Sequence, residues 1–385
     1  MTLNDILGMA LKSNTSDVHL KAGLPPIFRI DGSLRPLPKA PRMTGDMIHE
    51  MCDAIMNDRQ RARFEEVHEV DLAYGVPGLG RFRVNVFSQR GSMSAVFRAI
   101  PYKILTLDDL ELPEILKKIA LVPRGLVLVT GATGSGKSTT LAAMIDYINS
   151  QRTAHIVTIE DPIEYLHRDR KCIINQREVG FDTEGFGSAL KGSLRQDPDV
   201  ILVGEMRDLE TTETALAAAE TGHLVLSTMH TIDAPETITR IVAMFPPHQQ
   251  SQIRLQISGV LKGVISQRLI PRSAGKGRVA AVEVMVSTAR VRDLIDDRDK
   301  TVQLKDAIAQ GYTTYGMQTF DQALMSLVSR EIITYEEALR QSSNPDDFKL
   351  KFSGISSTGD QGWQDLNAQE KPEEGDDEEF KIDRV

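Results

Sequence analysis

Cysteine is almost missing from this chain: only Cys52 and Cys172 occur, far apart and with no second cysteine at metal-ligand spacing. That excludes a disulfide framework and a cysteine metal site, and it fits a reducing cytoplasm. Aromatic residues are scarce as well, at 5%, which argues against the stacking channel of a single-strand nucleic-acid translocase. No apolar run approaches the roughly 18 residues a spanning helix needs. The opening stretch "MTLNDILGMALKSNTSD" lacks the basic region and unbroken apolar core of a signal peptide. The chain therefore reads as soluble, reaching a membrane only through partners. Strong charge of one sign is confined to the end. Of the formal net charge of −9, most comes from residues 365 to 385, which hold nine acids and three bases. The nearly balanced body offers no lure for nucleic acid or anionic lipid.

What is present falls into regions. The length, 385 residues, suits two or three domains with cores of their own. Over residues 1–100 the pattern predicts a small α+β domain. "LNDILGMALKS" has helical spacing, "SDVHL" and "PPIFRIDG" read as short strands, and one helical stretch runs from residue 43 to about 64. Three further strands, "VDLAYG", "GRFRVNVFSQRG" and "SMSAVFRAI", predict a small antiparallel sheet. Residues 101–112 are read as a linker. From 113 to 356, apolar strands such as "GLVLVTG", "HIVTIED", "VILVGE" and "LVLSTMH" alternate with helix-length segments, the pattern of a mostly parallel sheet between helices. Short helices are expected at "TFDQALMSLVSREI" and "TYEEALRQSS", and residues 357–385 are expected to form an acidic, disordered tail.

"GATGSGKST", residues 131 to 139, stands between an apolar strand and a helix. Phosphate oxygens need many donors at short range, and glycines let the backbone turn its N–H groups inward. Gly131, Gly134 and Gly136 supply that freedom, and Ala132, Thr133, Ser135 and Thr139 complete the cradle. Lys137 would reach the β and γ phosphates and the Ser138 hydroxyl would join the Mg²⁺ shell, with the helix end adding positive potential. The alternative is a plain Gly/Ser turn. The absence of an [NT]KxD guanine reader favours ATP.

Hydrolysis also needs a carboxylate that orients water. Two stretches place one at a strand end: "TIEDPIEY", with Glu160, Asp161 and Glu164, and "DVILVGEMRD", with Glu205. Gly204 occupies the place where a metal-binding Asp commonly sits, so Glu205 is expected to act through water. His223 and His230 flank another apolar strand. Each is read either as a phosphate sensor or as a satisfied structural histidine. Met206 and Met229 are read as core.

Together "GATGSGKST", "TIEDPIEY", "LRQDPDVILVGEMRD" and "ETGHLVLSTMHT" resemble the Walker A, Asp, Walker B and His boxes of secretion ATPases. Within them the chain is similar to the type IV pilus retraction ATPases of the PilT and PilU type, from about residue 3 to residue 350. The resemblance implies a RecA-like P-loop ATPase domain preceded by a smaller PAS-like α+β domain. It further implies a homo-hexamer at the cytoplasmic face of the cell membrane, working on an inner-membrane platform protein, with a sister retraction ATPase as a further partner. It also implies that Arg81, Arg83 and Arg98 reach the γ-phosphate across a subunit interface; the other reading is a solvated basic strand face. Assembly and secretion relatives usually carry a four-cysteine zinc insertion, and "QRLIPRSAGKGRVAAVEVM" has no cysteine. Retraction is therefore preferred. "ARVRDLIDD", residues 289 to 297, keeps only part of the family's Ile-Arg-Asn-Leu-Ile-Arg-Glu pattern, with Asp296 for the second Arg, which leaves an accessory retraction motor as the alternative. A nucleic-acid translocase and a non-catalytic nucleotide-binding subunit are the competing classes. The balanced charge disfavours the first and the presence of Glu164 and Glu205 the second.

Overall fold

The computed structural model describes residues 1–353 except Asn14, Asp31, Pro101, Tyr102 and Lys276, so the tail expected over 357–385 lies outside the described residues. The chain packs as two compact units, one of residues 1–106 with 138–227, the other of residues 107–137 with those from 228 onward.

The first hundred residues form an antiparallel sheet of β1 (Asp17–Leu20), β2 (Ile27–Ile30), β3 (Ser33–Pro36), β4 (Glu69–Val76), β5 (Gly80–Gln89) and β6 (Ser92–Ile100). Its order is β3-β2-β1-β6-β5-β4. Strand alternation sorts the faces. On β5, Phe82, Val84 and Val86 are buried in one core with Ile6 and Leu7 of the helix Leu3–Lys12, while Arg81, Arg83 and Asn85 take the opposite face. Each such buried apolar side chain contributes about 1.5–3 kcal/mol relative to exposure. The expected helix over 43 to 64 is in fact two, Gly45–Asp53 and Asp58–Val67. Asn57 separates them by capping the second: its side chain accepts from the Gln60 amide, and the Gln60 side chain accepts from the Asn57 amide.

The second sheet contains β7 (Gly125–Thr130), β8 (His155–Glu160), β9 (Ile173–Glu178), β10 (Val200–Val203), β11 (Leu224–Met229), β12 (Leu261–Pro271) and β13 (Arg278–Val286), in the order β13-β12-β7-β11-β10-β8-β9. The pairings β7/β12, β8/β9, β8/β10 and β10/β11 are parallel, and β12/β13 is an antiparallel hairpin. Every residue of β7, β10 and β11 is buried, as strands covered by helices on both faces must be. Leu107 and Leu112, in the segment read as a linker, are buried too.

Candidate active site

In the unit that holds β7, β12 and β13, the chain leaves β7 at Thr130 and turns at Gly131, whose φ of 137° is open to glycine. Lys137 is buried and its Nζ donates to the carbonyls of Gly131 and Ala132 at 2.8 and 3.1 Å. The ammonium is thus folded back over the loop. Two buried polar atoms, Ser135 Oγ and Gln267 Oε1, have no hydrogen-bond partner among the described residues. Beside them opens a cavity of about 340 Å³, lined by loop residues 131–135 with Gln267, Arg268, Arg278 and Gln341. The Arg268 guanidinium lies 4.1 Å over the Phe320 ring and donates to the Gln341 carbonyl at 2.6 Å. A glycine-rich loop, a buried ammonium next to it and the held Arg268 guanidinium give this cavity chemistry that suits an anion.

The helix Lys137–Gln151 begins with half-buried Ser138 and Thr139. Thr139 shares a hydrogen bond of 2.8 Å with the Tyr165 hydroxyl, which ties the first turn of that helix to the Asp box. Among the described residues no group of three or more His, Cys, Asp or Glu is set to hold a metal ion. A Ser138 hydroxyl completed by phosphate oxygens and water suits Mg²⁺, which tolerates few protein ligands.

In the other unit, β8 ends on Glu160 and the Asp box follows. The Glu160 carboxylate accepts from Thr158 Oγ1 at 2.6 Å and Gln176 Nε2 at 3.1 Å. Burial raises its pKa above the usual carboxylate range, against the lowering effect of these hydrogen bonds. Glu164, by contrast, is exposed. Glu160 is therefore the structural carboxylate of the box, and Asp161 and Glu164 are the ones open to water. Glu205 follows β10; only 14% of its side chain is exposed and Arg207 Nε lies 2.7 Å from it. A Cβ on Gly204 would lie 3.2 Å from the Ile159 carbonyl and 3.3 Å from the Phe186 ring. A side chain here would be tight against the β8 backbone and the Phe186 ring, which favours glycine over Asp at this position.

His223 is tied locally, its Nδ1 2.9 Å from the Ala218 carbonyl and 3.3 Å from Thr221 Oγ1. His230, past the other end of β11, is exposed. The arginines separate. Arg81 Nη2 donates to Glu178 at 2.9 Å, and Arg98 Nε donates to buried Asp17 at 2.8 Å. Arg83 shares their sheet face as the register partner of Arg98, is exposed, and has no ion pair among the described residues.

The family described as "Type II/IV secretion system protein" matches residues 1–340. The chain belongs to that family. The type IV pilus retraction ATPase PilT of Pseudomonas aeruginosa is 50% identical over 90% of this chain and 100% of its own length. The type IV pilus ATPase PilU of the same organism is 45% identical, with 91% of each protein covered. A crystal structure of the pilus retraction motor PilT with bound ADP superposes with a TM-score of 0.82 at 47% identity, covering 90% of this chain and 98% of that one. The fold is accordingly a RecA-like P-loop ATPase domain preceded by a smaller PAS-like α+β domain, and this member is a nucleotide-binding P-loop ATPase of the pilus-retraction type.

Glu178 and Gln267 escaped the reading of the sequence. Glu178 ends an edge strand whose "IINQRE" is too polar to advertise itself, although its alternation was a usable signal. Gln267 lies in the mixed strand "LKGVISQRLIP" and meets the loop only through the sheet order, which no local pattern reveals.

Proposed function

We propose that the chain is the ATP-hydrolysing subunit of a homo-hexameric motor that powers type IV pilus retraction and twitching motility. The observation that carries this is the match to PilT along that protein's whole length, with the phosphate loop and both box carboxylates in place. Lys137 and the loop amides hold the β and γ phosphates; Glu205 and exposed Glu164 orient the attacking water. Mg²⁺, held by Ser138, supplies countercharge to the phosphates. His230, at the end of β11 that lies toward Glu205, reports the state of the γ-phosphate, whereas His223 stands at the opposite end of the strand, tied to the Ala218 carbonyl, and takes the structural reading. Arg83, exposed and unpaired among the described residues, is the side chain best suited to reach a neighbouring subunit's nucleotide. Residues 1–100 form the PAS-like domain, 113–356 the ATPase domain, and 101–112 join them. No described helix is long and apolar enough to cross a membrane. The likeness to PilT and PilU supports a motor that works at the cytoplasmic face of the membrane through a platform protein, with a sister ATPase as a further partner.

An accessory role within retraction has one observation in its favour. The helix Ala289–Asp296 presents Asp293 and Asp296 to solvent, where the retraction pattern carries Asn and Arg. Deleting the gene separates the readings. Retained or excess pili without twitching mean retraction, preserved twitching means an accessory motor, and loss of pili overturns the proposal in favour of assembly.

A further inference from the structure

The edge strand β9 ends on a carboxylate that the reaction above does not use. Glu178 is the register partner of Glu160, so it stands beside the loop that carries the Asp box. Its Oε2 accepts from two donors: Arg81 Nη2 at 2.9 Å and the backbone amide of Ile163 at 3.4 Å. Ile163 directly precedes Glu164. The carboxylate is 10% exposed and Arg81 23%. A carboxylate so enclosed needs a cation, and Arg81 supplies it. The backbone is fixed at the same point, because the Val179 amide donates to the Glu160 carbonyl and the Glu178 amide to Asp182 Oδ2, both at 2.8 Å. Arg81 lies near the start of β5, the strand next to the sheet edge, paired with Gly75 of β4 and Ile100 of β6. Displacement of that sheet therefore reaches Glu178 through a charge-assisted hydrogen bond, and the Asp box through the Ile163 amide.

We propose that Glu178 is a positioning residue for ATP hydrolysis, which with Arg81 of the small sheet holds the backbone at Ile163 and Glu164 and so couples that sheet to the water-orienting carboxylate. The inference rests on the ATPase reading. It gives Arg81 work within its own chain and leaves Arg83 as the arginine available to a neighbour.

The test is a double-mutant cycle on the full chain, using Arg81→Ala, Glu178→Ala and both together, with phosphate release and fluorescent ATP-analogue binding measured. Each single change should lower kcat on the order of 10- to 100-fold, as a small misplacement of a reacting group does. KM and analogue affinity should stay within about twofold, because the nucleotide contacts are untouched. The double variant should be no slower than the slower single one, since the two side chains act as one unit. Glu178→Gln keeps an acceptor for the Ile163 amide, loses the charge, and should fall between; it serves as the folded comparison if Glu178→Ala is unstable. Multiplying effects in the double variant, or a raised KM at unchanged kcat, would overturn the proposal. A folded wild-type chain that releases no phosphate would instead overturn the ATPase reading, whereas an active wild type with Glu178 variants at full kcat would sink only this inference.

Discussion

The backbone carbonyl of Gln267 occupies the space a side chain on Gly131 would need: a Cβ there would stand 2.5 Å from that oxygen and 2.7 Å from Ser135 Oγ. β12 thereby sets the shape of the first turn of the phosphate loop.

Gly131→Ala should abolish nucleotide binding, since the contact with the Gln267 carbonyl cannot yield without moving the β12 backbone. Gly134→Ala makes a contrast. Its φ is 78°, but a Cβ there would meet nothing within 4 Å, so the cost is the strain of a left-handed residue, about 1–2 kcal/mol. Analogue titration of the two variants checks this. Equal losses of affinity would contradict the assignment of the Gly131 effect to Gln267.

Glu283 predicts a pH dependence. It is buried on β13, accepts from the Ala234 amide at 2.9 Å, and burial pushes its pKa up to about 7 from 4.5. Asp233 reinforces that rise, while Lys305 and Arg268 oppose it. The folded chain therefore holds a proton that the unfolded chain has lost, and stability falls as pH climbs through that window, by about 3 kcal/mol at most. Glu283→Gln keeps the acceptor and removes the titration. Its melting temperature relative to wild type should climb from about pH 5 to about pH 7 and then level. Parallel curves for the two proteins would contradict the assignment.

Much of the fold was legible because its core strands are continuous apolar runs. β7, β10 and β11 cannot be anything but covered strands, and the boxes that follow them mark the chemistry. The small sheet was legible through alternation, as at Phe82, Val84 and Val86. The break at Asn57 was not, because the residues on both sides favour a helix and only the cap with Gln60 divides them. β9 was missed because an edge strand half in water needs few apolar residues. Of the candidate site, the loop and the carboxylates stood in plain motifs. The partition of three arginines into two held by carboxylates and one without an ion pair among the described residues depends on Asp17 and Glu178, which lie 81 and 97 residues away in sequence from their partners.

Arg83 should act across an interface. Its removal is expected to lower turnover by about 10³- to 10⁵-fold, as for other arginines that meet transferring phosphate. Arg83→Ala and Lys137→Ala proteins, each nearly inactive, should then regain ATPase activity when mixed. An Arg83-deficient subunit keeps its own Lys137 and can meet the Arg83 of a Lys137-deficient neighbour. With subunit exchange shown independently, failure to regain activity at any ratio would return Arg83 to a solvated basic face.

Hydrolysis by this chain drives retraction, and complementation is the direct test of that link. In a strain deleted for the gene, twitching would be scored after expressing wild type or Glu205→Ala, with nucleotide binding of the purified variant measured alongside. The account predicts that the variant binds ATP normally, releases phosphate slowly and leaves the cells piliated but immobile, while wild type restores movement. Full twitching with Glu205→Ala, at a phosphate-release rate far below wild type, would contradict it.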